Sequence, residues 1–323
     1  MLSRIAGNCL WLARYLERAE NTARLIGVAH WQSLLPEFHG GDPRPWHWLV
    51  DVAADDTALS KMPSHNPADA ALELLIWNRE YYSSLWSCLR FVRENARTAR
   101  SRLTNAMWEA ANTTWIEARA LDRDTVAARG IDDTLSWATH RCMWIRATIH
   151  DLLEDDTAAI IAAGRAIERC DNTIRVLRAF VPAMKLQTAT SSKPGTAGHR
   201  LWEAMLSAAS VQDWYRKIYP ELGDLTSTVE LIARYPQQPR SLVLSARKLE
   251  KALSRLAPGG PTTALQRAKA LVADIDGLAV GALVEDPERL SSMLMQLYGI
   301  SDAIGYEHCG ETPPGQQQSQ SST

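Results

Sequence analysis

Apolar residues recur at three- and four-residue steps through nearly the whole chain, the period of helices with one buried side. No pair of alternating β-branched runs joined by Asn-Gly or Asp-Gly interrupts them. The pattern predicts an all-α fold, a multi-helix bundle. A first long helix is expected from about Ser3 to Leu35, ending before Pro36 because proline disfavours helix in the residue ahead of it. Paired glycines and two prolines between Glu37 and Pro45 predict a loop, with a short helix near Trp46 to Leu59 after it. Asn66-Pro67 has the form of an N-cap with proline at the first helical position and opens a helix through Trp77. Helices are then expected from Ser83 to about Leu103, from the Thr104 cap onward, from Asp124 to Leu153, and from Asp155-Asp156-Thr157 to Pro182. Five more follow: about His199 to Ile218, Leu225 to Arg234, Arg240 to Leu256, Thr263 to Val280 and Pro287 to His308. Gln187 to Ala197, rich in Thr, Ser and Gly, is expected to be a mobile connector, and Ala257-Pro258-Gly259-Gly260-Pro261 a break. Gly310 to Thr323 is Gln/Ser/Pro low-complexity sequence, so the expected domain is 1–308 and 309–323 a disordered tail.

One stretch returns. Arg14-Tyr15-Leu16-Glu17-Arg18-Ala19-Glu20-Asn21-Thr22-Ala23-Arg24-Leu25 reappears as Arg165-Ala166-Ile167-Glu168-Arg169-Cys170-Asp171-Asn172-Thr173-Ile174-Arg175-Val176, a constant offset from Arg14 to Arg165. Arg, Glu, Arg, Asn, Thr and Arg are identical at matched places, and Asp171 stands for Glu20. Such a repeat implies an internal pseudo-repeat of two related halves, about 1–154 and 155–308.

At 100° per residue the charged and amide residues from Arg14 to Arg24 fall on one arc of roughly 160°, and Tyr15, Leu16, Ala19 and Ala23 fill the other side. Leu10 and Leu25 nevertheless lie inside the polar arc, and Ile161 and Val176 keep this in the second copy. Two readings follow. The arc is a solvated face with pairs such as Glu20–Arg24 at helical spacing, or both arcs are partly buried and face each other or a shared cleft, where Glu and Arg must be paired. Agreement between the copies at charged positions favours the second.

Composition narrows the function. Across 323 residues, 46% hydrophobic, there is enough apolar sequence for one large or two intimate domains. A formal charge of −2 gives no global attraction to nucleic acid or an acidic membrane, and neither is expected as a partner. The cations are mostly arginine, suited to carboxylate or phosphate forks. Five scattered cysteines without Cys-x-x-Cys spacing fit reduced thiols, and no run reaches the ~20 apolar residues of a membrane span. The amino terminus lacks a signal peptide's apolar core, so a cytoplasmic location is expected.

Arg90, Arg93, Arg97 and Arg100 form a basic stripe, expected to be a solvated face because no aromatic residues interleave it. In the same segment Glu94-Asn95-Ala96-Arg97 loosely echoes the opening motif. Trp137, His140, Trp144 and His150 at helical spacing are expected in the core. The P-loop, dinucleotide glycine fingerprint, serine-hydrolase elbow and His-Glu-x-x-His are missing. No histidine has a glutamate three positions earlier, so a di-metal carboxylate site is not expected, nor is any cofactor. Cys170 matches Ala19 and is expected to pack rather than react. Glu17 and Glu168 are positioned to act as general acid and base should their helices converge.

The opening Met1-Leu2-Ser3-Arg4 with Trp11 to Arg24, Arg93-Glu94-Asn95-Ala96-Arg97, Trp108-Glu109 with Asn112, and Gly164 ahead of the second motif together resemble the bacterial alpha-E domain family, an all-helical family. The resemblance spans about Met1 to Cys309. It implies a partner of an atypical ATP-grasp protein, whose class joins carboxylates to amines through an acyl phosphate. It also implies a setting near transglutaminase-like or proteasome-like peptidases. On that basis the chain is expected to bind or present a peptide substrate through a Glu/Arg/Asn cleft. The residues are Arg14, Glu17, Arg18, Glu20, Asn21, Arg24, Glu94, Asn95, Arg97, Arg165, Glu168, Arg169, Asp171, Asn172 and Arg175. The alternatives are an enzyme in its own right, transferring acyl or aminoacyl groups with paired glutamates, and a scaffold in which the Glu–Arg network only fixes the register of two halves.

Overall fold

Two long helices carry the repeated motif, α1 (Ser3–Ser33) and α8 (Asp156–Gln187), and the other helices surround them in a computed structural model. The structure describes residues 2–38, 44–53, 66–187, 196–219, 224–286 and 288–311. After α1 come α2 (Arg44–Ala53), α3 (Pro67–Leu72), α4 (Leu85–Thr98), α5 (Asn105–Ala118), α6 (Arg123–Arg129) and α7 (Ile131–Ala147). After α8 come α9 (Ala197–Ala208), α10 (Gln212–Ile218), α11 (Leu225–Ala233), α12 (Leu242–Leu256), α13 (Thr263–Gly277), α14 (Val280–Glu285) and α15 (Glu288–Ile304). The fold is all-α, and no strand occurs among the described residues.

α1 is clad by α4 and α7, and α8 by α12 and α15, while α2 and α9 each lie against both long helices. This cladding explains the apolar residues within the polar arc. Leu10, Leu25, Ile161 and Val176 are all buried, because α1 and α8 have almost no free face. One continuous apolar cluster runs from Ala6 to Ile304.

Local chemistry starts many of the helices. Asn66 Oδ1 accepts from the Ala68 N–H ahead of Pro67, and Ser84, Thr104, Thr196, Asp224, Ser241 and Thr262 cap the helices that follow them. Asp122 and Thr125 close a reciprocal capping box.

Several expected boundaries move. The segment from Asp124 to Leu153 is two helices, split at Gly130, whose φ of 90° lies in the region that favours glycine. Ser210, with φ 60°, similarly separates α9 from α10. The helix from Ser83 shortens to α4 and a 3-10 turn at Arg100–Arg102. Pro182 does not end the second motif helix: α8 continues to Gln187, because Phe180, Val181 and Met184 are buried around the proline and hold the turn by packing. Residues 54–59 of the expected short helix, 39–43 of the first loop, 188–195 of the connector and 312–323 of the tail lie outside the described residues.

The aromatic row on α7 and the 3-10 turn after it lies mostly outside the core. Trp144 is 41% exposed, His140 and His150 are exposed, and Trp137 is half-buried with its Nε1 donating to Glu117. The arginine stripe also departs from expectation, since its aromatic partners come partly from another helix. Arg93 and Arg100 lie over Trp108 of α5, and Arg90 lies over Trp86 and Phe91. Among the described residues no helix is long and apolar enough to cross a membrane.

Candidate functional site

Gly164 allows α8 to approach α1. A Cβ there would stand 2.5 Å from the Leu10 carbonyl oxygen and 3.2 Å from the Ala13 Cβ. At the far ends Trp48 of α2 bridges the two helices, its Nε1 donating to Gln32 Oε1 at 2.7 Å and its ring lying 4.8 Å from that of Phe180. Early residues thus meet early residues and late meet late. The two motif helices run in the same direction, and their polar arcs converge between these contacts.

There the charges are exchanged reciprocally. Glu17 accepts from Arg165 Nε at 3.2 Å and from Arg169 Nε and Nη2 at 3.0 and 2.8 Å. Glu168 accepts from Arg14 Nε at 3.2 Å and from Arg18 Nε and Nη2 at 2.5 and 3.0 Å. Each Glu-Arg step gives its carboxylate to the other helix and takes the other's carboxylate in its guanidinium fork. The solvated-face reading is therefore set aside: Glu17 is 1% and Glu168 3% exposed.

Burial alone would raise both carboxyl pKa values. Arg169, Arg240 and Arg165 more than offset it at Glu17, which is held at about 2, and Arg18 and Arg14 hold Glu168 below the ordinary carboxylate range. Groups so fixed in the charged form are poor proton carriers near neutrality. The helices do converge, yet general acid–base work by these two glutamates is not what the geometry offers.

A pH dependence follows from the sign of these shifts. A carboxylate whose folded pKa lies below its unfolded value stabilises the fold fully above the unfolded pKa, and that contribution is lost as pH falls through the folded value. We expect the urea midpoint to be flat from neutrality to about pH 5 and to fall steeply between about pH 4 and 2. Urea titrations across that range, followed by far-UV circular dichroism, check it; a midpoint unchanged down to about pH 3 would contradict the pairing.

One step further along the motif the two copies part. Glu20 is gripped by Arg146 of α7 and by Arg240 just ahead of α12, which hold its pKa down against burial. The Glu20–Arg24 pair expected from spacing is not formed. Arg24 donates instead to the Ala208 carbonyl and to Asn21 Oδ1, and burial together with Arg240 pulls its pKa down to about 9. Asp171, the counterpart of Glu20 in the motif, accepts from Arg175 Nε at 2.7 Å, and Arg175 Nη2 donates to the Tyr298 hydroxyl oxygen at 2.7 Å. Burial raises the Asp171 pKa; Arg175 works against this, and Glu168 reinforces it. Ser83 stands immediately before the Ser84 cap where Arg240 stands immediately before the Ser241 cap. Ser83 and Asp171 line the same cleft, and Ser83 Oγ accepts from Arg18.

That side opens into a cleft of about 910 Å³. Arg14, Arg18, Asn21, Glu168, Asp171, Asn172 and Arg175 line it, joined by Asp51, Tyr82, Arg178 and Tyr298. Arg14 also donates to Ser301 Oγ at 2.8 Å and lies 4.5 Å from the Trp11 ring, which fixes its guanidinium at the wall. Mixed guanidinium, amide, phenol and carboxylate groups suit a ligand bearing both a carboxylate and an amine.

The remaining expected residues lie elsewhere. Glu17, Arg165 and Arg169 meet beside a second, smaller cleft, and Glu20 sits in the interior with Arg146 and Arg240. Glu94, Asn95 and Arg97 stay on α4, apart from the cleft. Glu94 accepts from Arg93 and Arg97, and Asn95 donates to the Phe91 carbonyl. Sequence reasoning missed Asp51, Tyr82, Arg146, Arg178, Arg240 and Tyr298, none of which lies in the repeated motif. Among the described residues no group of three or more His, Cys, Asp or Glu is placed to hold a metal.

No curated protein and no solved structure matches the chain. The Alpha-E family, described as a predicted alpha-helical domain with a conserved ER motif, matches residues 1–308. The chain has Glu-Arg at 17–18 and 168–169, the two steps that exchange charges between α1 and α8. A match over nearly the whole chain, on a fold built around those steps, makes this protein a member of the Alpha-E family.

Proposed function

We propose that the chain is a helical partner subunit of an ATP-grasp type carboxylate–amine ligase, binding or presenting a peptide substrate in the cleft beside Asp171. The reading rests on the family resemblance for the ligase setting and on the mixed-charge cleft for the binding role. The single observation that carries the latter is the broken symmetry of the motif. Glu20 is closed off by two arginines, whereas Asp171, with Arg175 and the neighbouring Arg178, faces an open cleft. Arg178 and Arg175 are suited to a substrate carboxylate, and Asp171 and Asp51 to an amine.

The same proposal takes the halves as copies of one unit. Supporting this are the reciprocal ion pairs, the matched caps Ser84 and Ser241, Thr104 and Thr262, and the equivalent packing of α1 with α4 and α8 with α12. A scaffolding role for Glu17 and Glu168 themselves is favoured by their complete pairing with arginine.

A tagged pull-down from native cytosol with Mg-ATP, read by mass spectrometry, tests the partner; recovery of no ATP-grasp protein overturns that part. In ligation reconstituted with the recovered partner, Arg178→Ala is expected to lower kcat/KM by about tenfold or more, chiefly through KM. Arg178 is exposed in the cleft, so the melting temperature should stay put. Unchanged kinetics would remove the cleft from substrate binding.

A further inference from the structure

The second cleft, of about 320 Å³, lies between α8 and α12 and is independent of the first. On α8 its floor is Ala159, Ala162 and Ala166, flanked by Arg165 and Arg169. At the positions of Ala162 and Ala166 the first motif helix has Trp11 and Tyr15. Small side chains on α8 thus leave this space open where the first motif carries aromatic rings. On α12, Ser245, Lys248, Lys251, Ala252 and Arg255 recur at helical steps and face it.

Two features are unexplained by the fold. The first is a surplus of positive charge. Glu17 is already shared by Arg165 and Arg169, and Arg255 reaches only the exposed Glu154, whereas Lys248 and Lys251 form no ion pair among the described residues. The second is the Ser245 hydroxyl. It is buried, with Ser245 1% exposed, and it has no hydrogen-bond partner, although a buried polar atom left unpaired is costly. Partial desolvation of the side chain, followed by repulsion from Arg169 and Arg165, also pulls the Lys248 pKa down, as expected of an ammonium crowded by like charge.

We infer that this cleft is a binding site for a phosphoryl oxyanion, held by Lys248, Lys251 and the donors of Arg165 and Arg169 that Glu17 leaves unused, with the Ser245 hydroxyl donating to it. A multiply charged, oxygen-rich group answers both the charge surplus and the idle hydroxyl; a singly charged carboxylate neutralises less of the surplus. The shared chemistry is the phosphoryl group, whether free or carried on a nucleotide.

Isothermal titration of the full-length protein with inorganic phosphate, pyrophosphate, metal-free ATP and acetate, at low salt, tests this. Pyrophosphate or ATP is expected to bind one per chain, and the tighter of the two identifies the source. Lys248→Ala with Lys251→Ala should weaken that binding by about tenfold or more, and Ala162→Leu, which fills the floor at an exposed position, should weaken it similarly. Both lysines are exposed, so the fold should persist, which a circular-dichroism melt confirms. Arg178→Ala, in the other cleft, should leave anion binding unchanged. No heat with any phosphoryl probe, equal affinity for acetate, or binding indifferent to the lysine substitutions would overturn the assignment.

Discussion

Replacing Glu168 with alanine is expected to destabilise the protein by about 3–5 kcal/mol, the range for removing one side of a buried ion pair. The size follows from what remains. Arg14 and Arg18 would lose the one carboxylate that pairs with them among the described residues and keep neutral contacts, Ser301 for Arg14 and Ser83 at 3.4 Å for Arg18. Those hydroxyls satisfy donors but not charge. Glu17→Ala should cost a similar amount, because its carboxylate receives the mirrored set from Arg165 and Arg169. Glu168→Gln should be milder, since the amide keeps one acceptor. Urea unfolding measures each, with Glu94→Ala as the surface comparison, expected within about 1 kcal/mol because exposed pairs contribute little. A loss below about 1 kcal/mol for Glu168→Ala would mean that packing alone holds α1 and α8 in register.

The Glu–Arg network was largely legible in the sequence because it is written twice. Identical charged residues at a constant offset, with Leu10 and Leu25 breaking a polar arc, favoured burial and mutual pairing over a solvated face. The closure of Glu20 was not legible. Arg146 of α7 and Arg240, in the turn ahead of α12, are distant in sequence, and helical spacing pointed instead to Arg24, which the fold turns toward the Ala208 carbonyl. Arg178 carries no repeat signal, since its counterpart by offset is Gly27. Pro182 misled for another reason: its local cost is real, but buried neighbours on both sides outweigh it. Trp144 shows the converse, an aromatic at core spacing left partly in solvent because no helix covers that side of α7 among the described residues.

Gly164→Ala is expected to be as informative as the loss of a charge, although it adds only one methyl group. Its Cβ would meet the Leu10 carbonyl oxygen at 2.5 Å, and that atom is helical backbone of α1, so no side-chain rotation relieves the contact. Either α8 withdraws or both helices bend. Withdrawal lengthens the hydrogen bonds from Arg14, Arg18, Arg165 and Arg169, which now lie between 2.5 and 3.2 Å, and weakens them together. We expect a loss of at least the ~1–3 kcal/mol typical of overpacking, and a larger one for Gly164→Val. Gly27, on the other motif helix, has its nearest neighbour at 3.7 Å, the Leu135 side chain. Gly27→Ala should therefore be tolerated and should gain up to about 0.5–1 kcal/mol from helix propensity. Melting temperatures of the two alanine variants thus move in opposite directions if the α1–α8 contact sets the spacing of the ion pairs. Equal tolerance at both glycines would show that the helices can part without cost and that the charge exchange follows the packing rather than depending on it.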